Sequence, residues 1–185
     1  KWGEKQVTKE KQKVRAGIHW PQVPTVKNRK PGWWSIPKCN PTNVFLSYII
    51  NDTYSQRYSE KPVISDRCFH MISPFKTDDG KLLSLILNSS VMSLLMEMTG
   101  RINLGEGALK FETEDTKNLH VPKPDVFTED FKEELLSVFD KISMRSIKPI
   151  FEEVKMKDRQ RLDSLILGAL GLEPKTYLKP LYKGF

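Results

Sequence analysis

Cysteine is nearly missing from this chain of 185 residues. Cys39 and Cys68 form no CxxC pair and no close cluster of His or Cys accompanies them, which excludes a disulfide framework and a thiolate zinc site. Both read as reduced, structural residues. Histidine is equally scarce: His19, His70 and His120 stand far apart without HxxxH or HExxH spacing, so no metal centre is expected. Long apolar runs are absent too. The most apolar segment, Leu82–Met98, is interrupted by Asn88, Ser89, Ser90, Ser93 and Glu97 and falls short of the ~20 residues that a membrane span needs. The opening KWGEKQVTKEKQKVR carries no apolar run behind it, so no secretory signal is read there, no membrane partner is expected, and a cytoplasmic location is. Beginning at Lys1 rather than Met, the chain reads as a piece of a longer polypeptide.

What is present is positive charge, unevenly placed. The net charge is +7. Residues 1–40 hold ten Lys/Arg against two Glu, a net of +8, and the remaining residues come to −1. Such an asymmetry favours a polyanionic partner, because lysines and arginines that neutralise phosphates release condensed counterions. A solvated basic tail over residues 1–16 is the plainer alternative.

The pattern along the chain divides it into a basic lead (1–40), a central core (41–124) and a helical C-terminal subdomain (125–185). Pro21, Pro24, Pro31, Pro37 and Pro41 exclude regular helix from 17–41. Trp33 and Trp34 lie there among Lys27, Arg29, Lys30 and Lys38, either as a stacking surface for bases or as anchors of the loop to a core. Val44–Ile50 is a β-rich run ended by Asn51-Asp52, and Cys68–Ile72 is a second strand ended by Ser73-Pro74. Lys81 to about Thr99 reads as one helix, apolar on two sides and therefore buried between layers. Gly100 follows where a left-handed cap is expected, and Ala108–Phe111 is a further strand. After Pro124 only helix is read: one capped by Thr128 with Phe131, Leu135, Leu136, Phe139 and Ile142 at core spacing, one over Ser146–Lys155, and one starting at Asp158 and ending at Gly171. The fold class is α+β, a small mixed or antiparallel sheet packed on a buried helix with a helical C-terminal part.

Few constellations could carry chemistry. Gly100–Gly107 (GRINLGEG) lacks the spacing of a dinucleotide loop and the GK[ST] of a P-loop. Its glycines point to a tight turn, for packing or for approach to a ligand. Arg101 and Asn103 beside it suit phosphates or base edges. Asp125 with Glu153 and Lys155 spells a PD…ExK nuclease pattern, in which the acids would hold Mg²⁺; the helical reading of Pro149–Val154 opposes it. Asn40-Pro41-Thr42-Asn43 lacks the second proline and the aromatic with which amino-group methyltransferases grip a flipped base. No catalytic centre is expected in this chain.

An ordered set of motifs remains: Asp66-Arg67, the helix LLSLILNSSVMSLLMEMTGR, the loop Asn103-Leu-Gly-Glu-Gly-Ala-Leu109, the run Asp115–Pro124, and the closing DRQRLDSLILGALGL from Asp158. Together they resemble the C-terminal target-recognition region of adenine-N6 DNA methyltransferases of restriction-modification systems. The resemblance implies sequence-specific recognition of double-stranded DNA by a module that is not catalytic by itself. Its partner would be an N-terminal catalytic methyltransferase domain that uses S-adenosylmethionine and flips the adenine; the chain itself would bind no cofactor. The DNA-binding candidates are Arg101, Asn103, Lys110, Lys27, Arg29, Lys30 and Lys38. A Mg²⁺-dependent nuclease and a protein–protein interaction module are the alternatives.

Overall fold

A computed structural model describes residues 13–15, 18–35, 38–102 and 108–185. Its contacts divide the chain into two compact units, Lys1–Asn40 and Pro41–Phe185.

In the first unit, strands β1 (Lys13–Arg15) and β2 (Ile18–His19) pair antiparallel, and a 3-10 turn at Trp20–Gln22 leads to α1 (Pro24–Lys27). The prolines do not exclude helix entirely. Pro24 occupies the first helical position, where its missing N–H has no intrahelical role and its fixed φ is already helical. A cis peptide precedes Pro31.

The second unit is built on β3 (Thr42–Ser47), the centre of a three-stranded antiparallel sheet in the order β5 (Arg57–Val63), β3, β6 (Phe69–Ile72). The expected continuous strand to Ile50 is broken at Tyr48. Ile49–Ile50 (β4) leaves the first sheet and pairs antiparallel with β7 (Leu109–Lys110). The fold class is α+β as expected, a small antiparallel sheet with the helix Gly80–Leu87 packed on β3 and β5 and a helical C-terminal part.

The expected single buried helix is two, α2 (Gly80–Leu87) and α3 (Ser90–Thr99), bent by 66°. Two polar side chains at the junction make the break. The Ser89 hydroxyl accepts the Met92 N–H (3.2 Å) and so starts α3 anew. Asn88 behaves as a piece of strand: its amide oxygen accepts the Gln56 N–H (2.8 Å) and its amide nitrogen donates to the Gln56 carbonyl (3.0 Å). Leu82, Leu85, Ile86, Leu87, Met92 and Met96 are all buried, each worth about 1.5–3 kcal/mol relative to exposure. Among the described residues no single helix is long and apolar enough to cross a membrane.

Five further helices follow: α4 (Thr113–Asn118), α5 (Glu129–Ser143), α6 (Ile150–Glu153), α7 (Lys157–Ala169) and α8 (Pro174–Tyr182). Thr128 caps α5 as expected, but Leu136 points outward and Val138 takes a core position in its stead. Gly171, at φ +74°, ends α7 in the left-handed conformation. Gly100 does not play that part. Its φ is −71°, and a Cβ there would lie 2.9 Å from the Phe111 ring, 3.0 Å from Leu109 and 3.0 Å from the Met96 carbonyl. Glycine is needed at position 100 for the close approach of β7, not for a positive φ.

Candidate functional site

The break after β3 leaves Tyr48 standing between the two sheets. Its N–H donates to the Cys68 carbonyl (3.0 Å) and its carbonyl accepts the Phe111 N–H (2.9 Å), so the backbone is fixed from both sides. Around the ring gather the Arg67 guanidinium (5.8 Å from the centroid), the Lys110 ammonium (5.4 Å) and the His70 imidazole (5.6 Å). Two cations at one aromatic ring are mutually tolerable because the ring quadrupole attracts both. His70 donates from Nε2 to the Phe111 carbonyl at 2.9 Å, since a carbonyl can only accept.

Beside Tyr48 opens a groove of about 630 Å³, lined in part by Ser47, Asn51, Thr53, Arg57 and Arg67. Among the described residues no carboxylate lines it. Arg57 reaches the Ser55 hydroxyl at 2.7 Å. Ser47 is fixed at the groove floor: its N–H donates to the buried Gln56 side chain (2.8 Å) and its hydroxyl to the Ser55 carbonyl (3.1 Å). Asp66, next to Arg67, turns its carboxylate to the Cys68 N–H (2.9 Å), which fixes the approach to β6. That hydrogen-bonded carboxylate also pushes the Cys68 thiol up from its ordinary pKa. Cys68 is exposed, which corrects its reading as a structural residue.

Arg101 and Lys110, the latter also at the Tyr48 ring, exchange both backbone hydrogen bonds, each 3.0 Å. The structure thus brings together these two candidate residues. It also gives each an acid. Asp115 Oδ1 accepts Nε (3.2 Å) and Nη2 (2.9 Å) of Arg101, while its Oδ2 accepts the Glu112 N–H (2.9 Å). Glu112 Oε1 meets the Lys110 ammonium (2.7 Å) and the Tyr48 hydroxyl (3.1 Å). The Glu112 amide and the Arg101 guanidinium hold the Asp115 carboxyl below the usual range. Lys110 and the Tyr48 hydroxyl do the same for Glu112.

The remaining candidates are distributed otherwise. Asn103 lies outside the described residues, as do Gly105, Glu106 and Gly107. Lys27, Arg29, Lys30 and Lys38 belong to the first unit, where the three lysines are exposed and Arg29 donates to the Ser35 carbonyl at 3.0 Å. Trp33 is half-buried; Trp34 is 40% exposed, meets Trp33 edge-on at 6.0 Å and lies over Gly32.

The nuclease pattern does not assemble. Asp125 sits exposed in a 3-10 turn and pairs with Lys76 at 3.0 Å. Glu153 is buried in α6 and bound to Arg145 (2.6 Å) and Arg159 (3.3 Å). A carboxylate so enclosed has no lone pair to give a metal, and among the described residues no group of three or more candidate metal ligands forms.

Sequence reasoning does not single out Arg57, Arg67 or Tyr48 for contact, although Asp66-Arg67 belongs to the motif set. A tyrosine interrupting an apolar β run is the signal that could have found the site. A family model described as "Type II methyltransferase M.Eco57I, C-terminal domain" matches residues 1–162. No curated protein and no solved structure matches the chain.

Proposed function

The chain belongs to this family of Type II methyltransferase C-terminal domains, and from that premise we propose that the Tyr48 groove is a contact surface for double-stranded DNA. On this reading the chain recognises a target sequence and is not itself catalytic. Methyl transfer from S-adenosylmethionine to an adenine amine belongs to an N-terminal catalytic domain of the complete enzyme.

One observation carries the proposal: a concave surface lined, among the described residues, by two arginines and no acid. A duplex presents one negative charge per ~1.7 Å of axis, so a groove of this make-up attracts it while an acid-lined one repels it. The two arginines take different roles. Arg67, resting over the Tyr48 ring, is pre-organised and loses less entropy on making a bidentate contact to a guanine edge. Arg57, held by the Ser55 hydroxyl, suits a phosphate oxygen. Lys27, Arg29, Lys30 and Lys38 add sequence-independent attraction.

The test is duplex binding by the complete protein across a salt series. Arg67→Gln is expected to cost about 1–3 kcal/mol and to relax preference at one base position. Arg57→Gln is expected to weaken target and non-target duplexes alike and to reduce the salt slope by about 0.9. Unchanged affinity in both variants would refute the assignment.

A further inference from the structure

Resting on that DNA-binding reading, we infer that Arg101 and Lys110 form a second phosphate site, and that Asp115 and Glu112 occupy it in the free protein as internal stand-ins for phosphodiester oxygens. A carboxylate and a phosphate offer an arginine fork the same pair of acceptor oxygens. Asp115 takes the Nε–Nη2 edge of Arg101 as a phosphate would, and Glu112 takes the Lys110 ammonium.

At the Arg101–Asp115 pair the exposures show which partner is fixed and which faces outward. The Arg101 side chain is 50% exposed and Asp115 only 12%. Asp115 is moreover held from behind by the Glu112 N–H (2.9 Å), and Glu112 by the Tyr48 hydroxyl (3.1 Å). Both acids are therefore tied to the scaffold, and Arg101 is the cation most open to solvent; at the second pair the exposures are closer, 27% for Lys110 and 36% for Glu112. The backbone bridge between Arg101 and Lys110 keeps their Cα atoms at one ladder position. A phosphate arriving there must displace a carboxylate from each cation, so duplex of any sequence binds less tightly than two unpaired cations would allow. Because exposed ion pairs are worth little individually, the exchange is reversible.

Neutralising the acids tests this directly. In the complete protein, Glu112→Gln and Asp115→Asn keep the shape and one acceptor oxygen while removing the charge. Each is expected to bind a mixed-sequence duplex of about 30 base pairs roughly two- to fivefold more tightly, about the worth of a surface ion pair. The salt slope should steepen by about 0.9 for each phosphate newly engaged. Lys110→Gln combined with Glu112→Gln should abolish the gain, because the cation that profits is gone. Affinity unchanged or weakened in both single variants, with Arg67→Gln still weakening binding, overturns the stand-in role and leaves the groove assignment standing. A wild-type protein that binds no duplex at low salt overturns the DNA reading itself, and this inference with it.

Discussion

At the scale of single residues, the most consequential side chains outside the groove are the buried charges of the C-terminal helices. Arg145 spans two acids, giving Nη1 and Nη2 to Glu153 (2.6 and 2.9 Å) and Nε and Nη2 to Asp158 (2.6 and 2.9 Å). Burial by itself would raise the Glu153 carboxyl, but Arg145, the Lys148 N–H and Arg159 outweigh it and hold it below its ordinary value. Arg145 likewise lowers Asp158. Asp163 goes the other way: fully buried, it is raised by desolvation despite the nearby Arg159 and despite accepting the Ser90 N–H (2.7 Å) and the Tyr182 hydroxyl (2.9 Å). The signs follow from linkage. Glu153 and Asp158 stabilise the fold above their unfolded values, near about 4, and that contribution is lost as pH falls through their lower folded values. The contribution of Asp163 is fully present below its unfolded value, about 3.9, and is lost as pH rises through its higher folded value. Asp163→Asn, which keeps an acceptor for Ser90 and a donor for the Tyr182 oxygen, is therefore expected to be more stable than wild type at about pH 7. Its advantage should vanish in acid. Urea midpoints measured across pH check this; a larger advantage at about pH 4 than at about pH 7 would contradict it.

At the scale of elements, the bend between α2 and α3 is the feature on which the sheet's placement depends. Removing the Asn88 side chain leaves the Gln56 N–H and carbonyl without their partner (2.8 and 3.0 Å). Asn88→Ala is expected to cost about 1–3 kcal/mol for each group that ends up unsatisfied, and Ser89→Ala about 1 kcal/mol for the absent cap. Both are read as shifts in urea midpoint at constant m. This bend also shows what the sequence disclosed and what it withheld. The apolar stripes of Leu82–Met98 foretell a buried helical segment, and Thr128 and Gly171 mark helix ends, because periodicity and caps are local properties. The break at Asn88-Ser89 is not legible: neither residue is a helix breaker, and the apolar pattern continues through both halves. Beside the local Ser89 cap, its cause is Gln56, a partner of Asn88 that lies 32 positions away. Gly100 misleads for a related reason. Its position after a helix fits a left-handed cap, whereas its use is set by Phe111 and Leu109. The site shows the same limit. Arg101 and Lys110 are legible as cations near a turn, but the acids that hold them, and the Tyr48 ring that gathers Arg67, are neighbours brought in by the fold.

At the scale of the whole molecule, charge and architecture share a boundary. The unit Lys1–Asn40 has a net charge of +8, and Pro41–Phe185 a net of −1. If the first unit supplies phosphate contacts and the second reads bases, the two properties are separable. Replacing Lys27, Lys30 and Lys38 together with Gln in the complete protein is expected to reduce the salt slope by about 0.9 for each phosphate that is no longer neutralised. The ratio of target to non-target affinity should stay as in wild type, since phosphate contacts carry no sequence information directly. A changed ratio, measured by competition between target and non-target duplexes, would assign base reading to the first unit.

The tight seat of Gly100 bears on how such a domain can vary. The position adjoining Arg101 admits no side chain without moving Phe111, Leu109 or the α3 carbonyl at Met96, whereas Arg101 itself projects half-exposed from the next residue. One peptide unit thus separates a position closed to substitution from one open to it. The side chain at 101 can be exchanged, while the place from which it is presented stays where the glycine puts it.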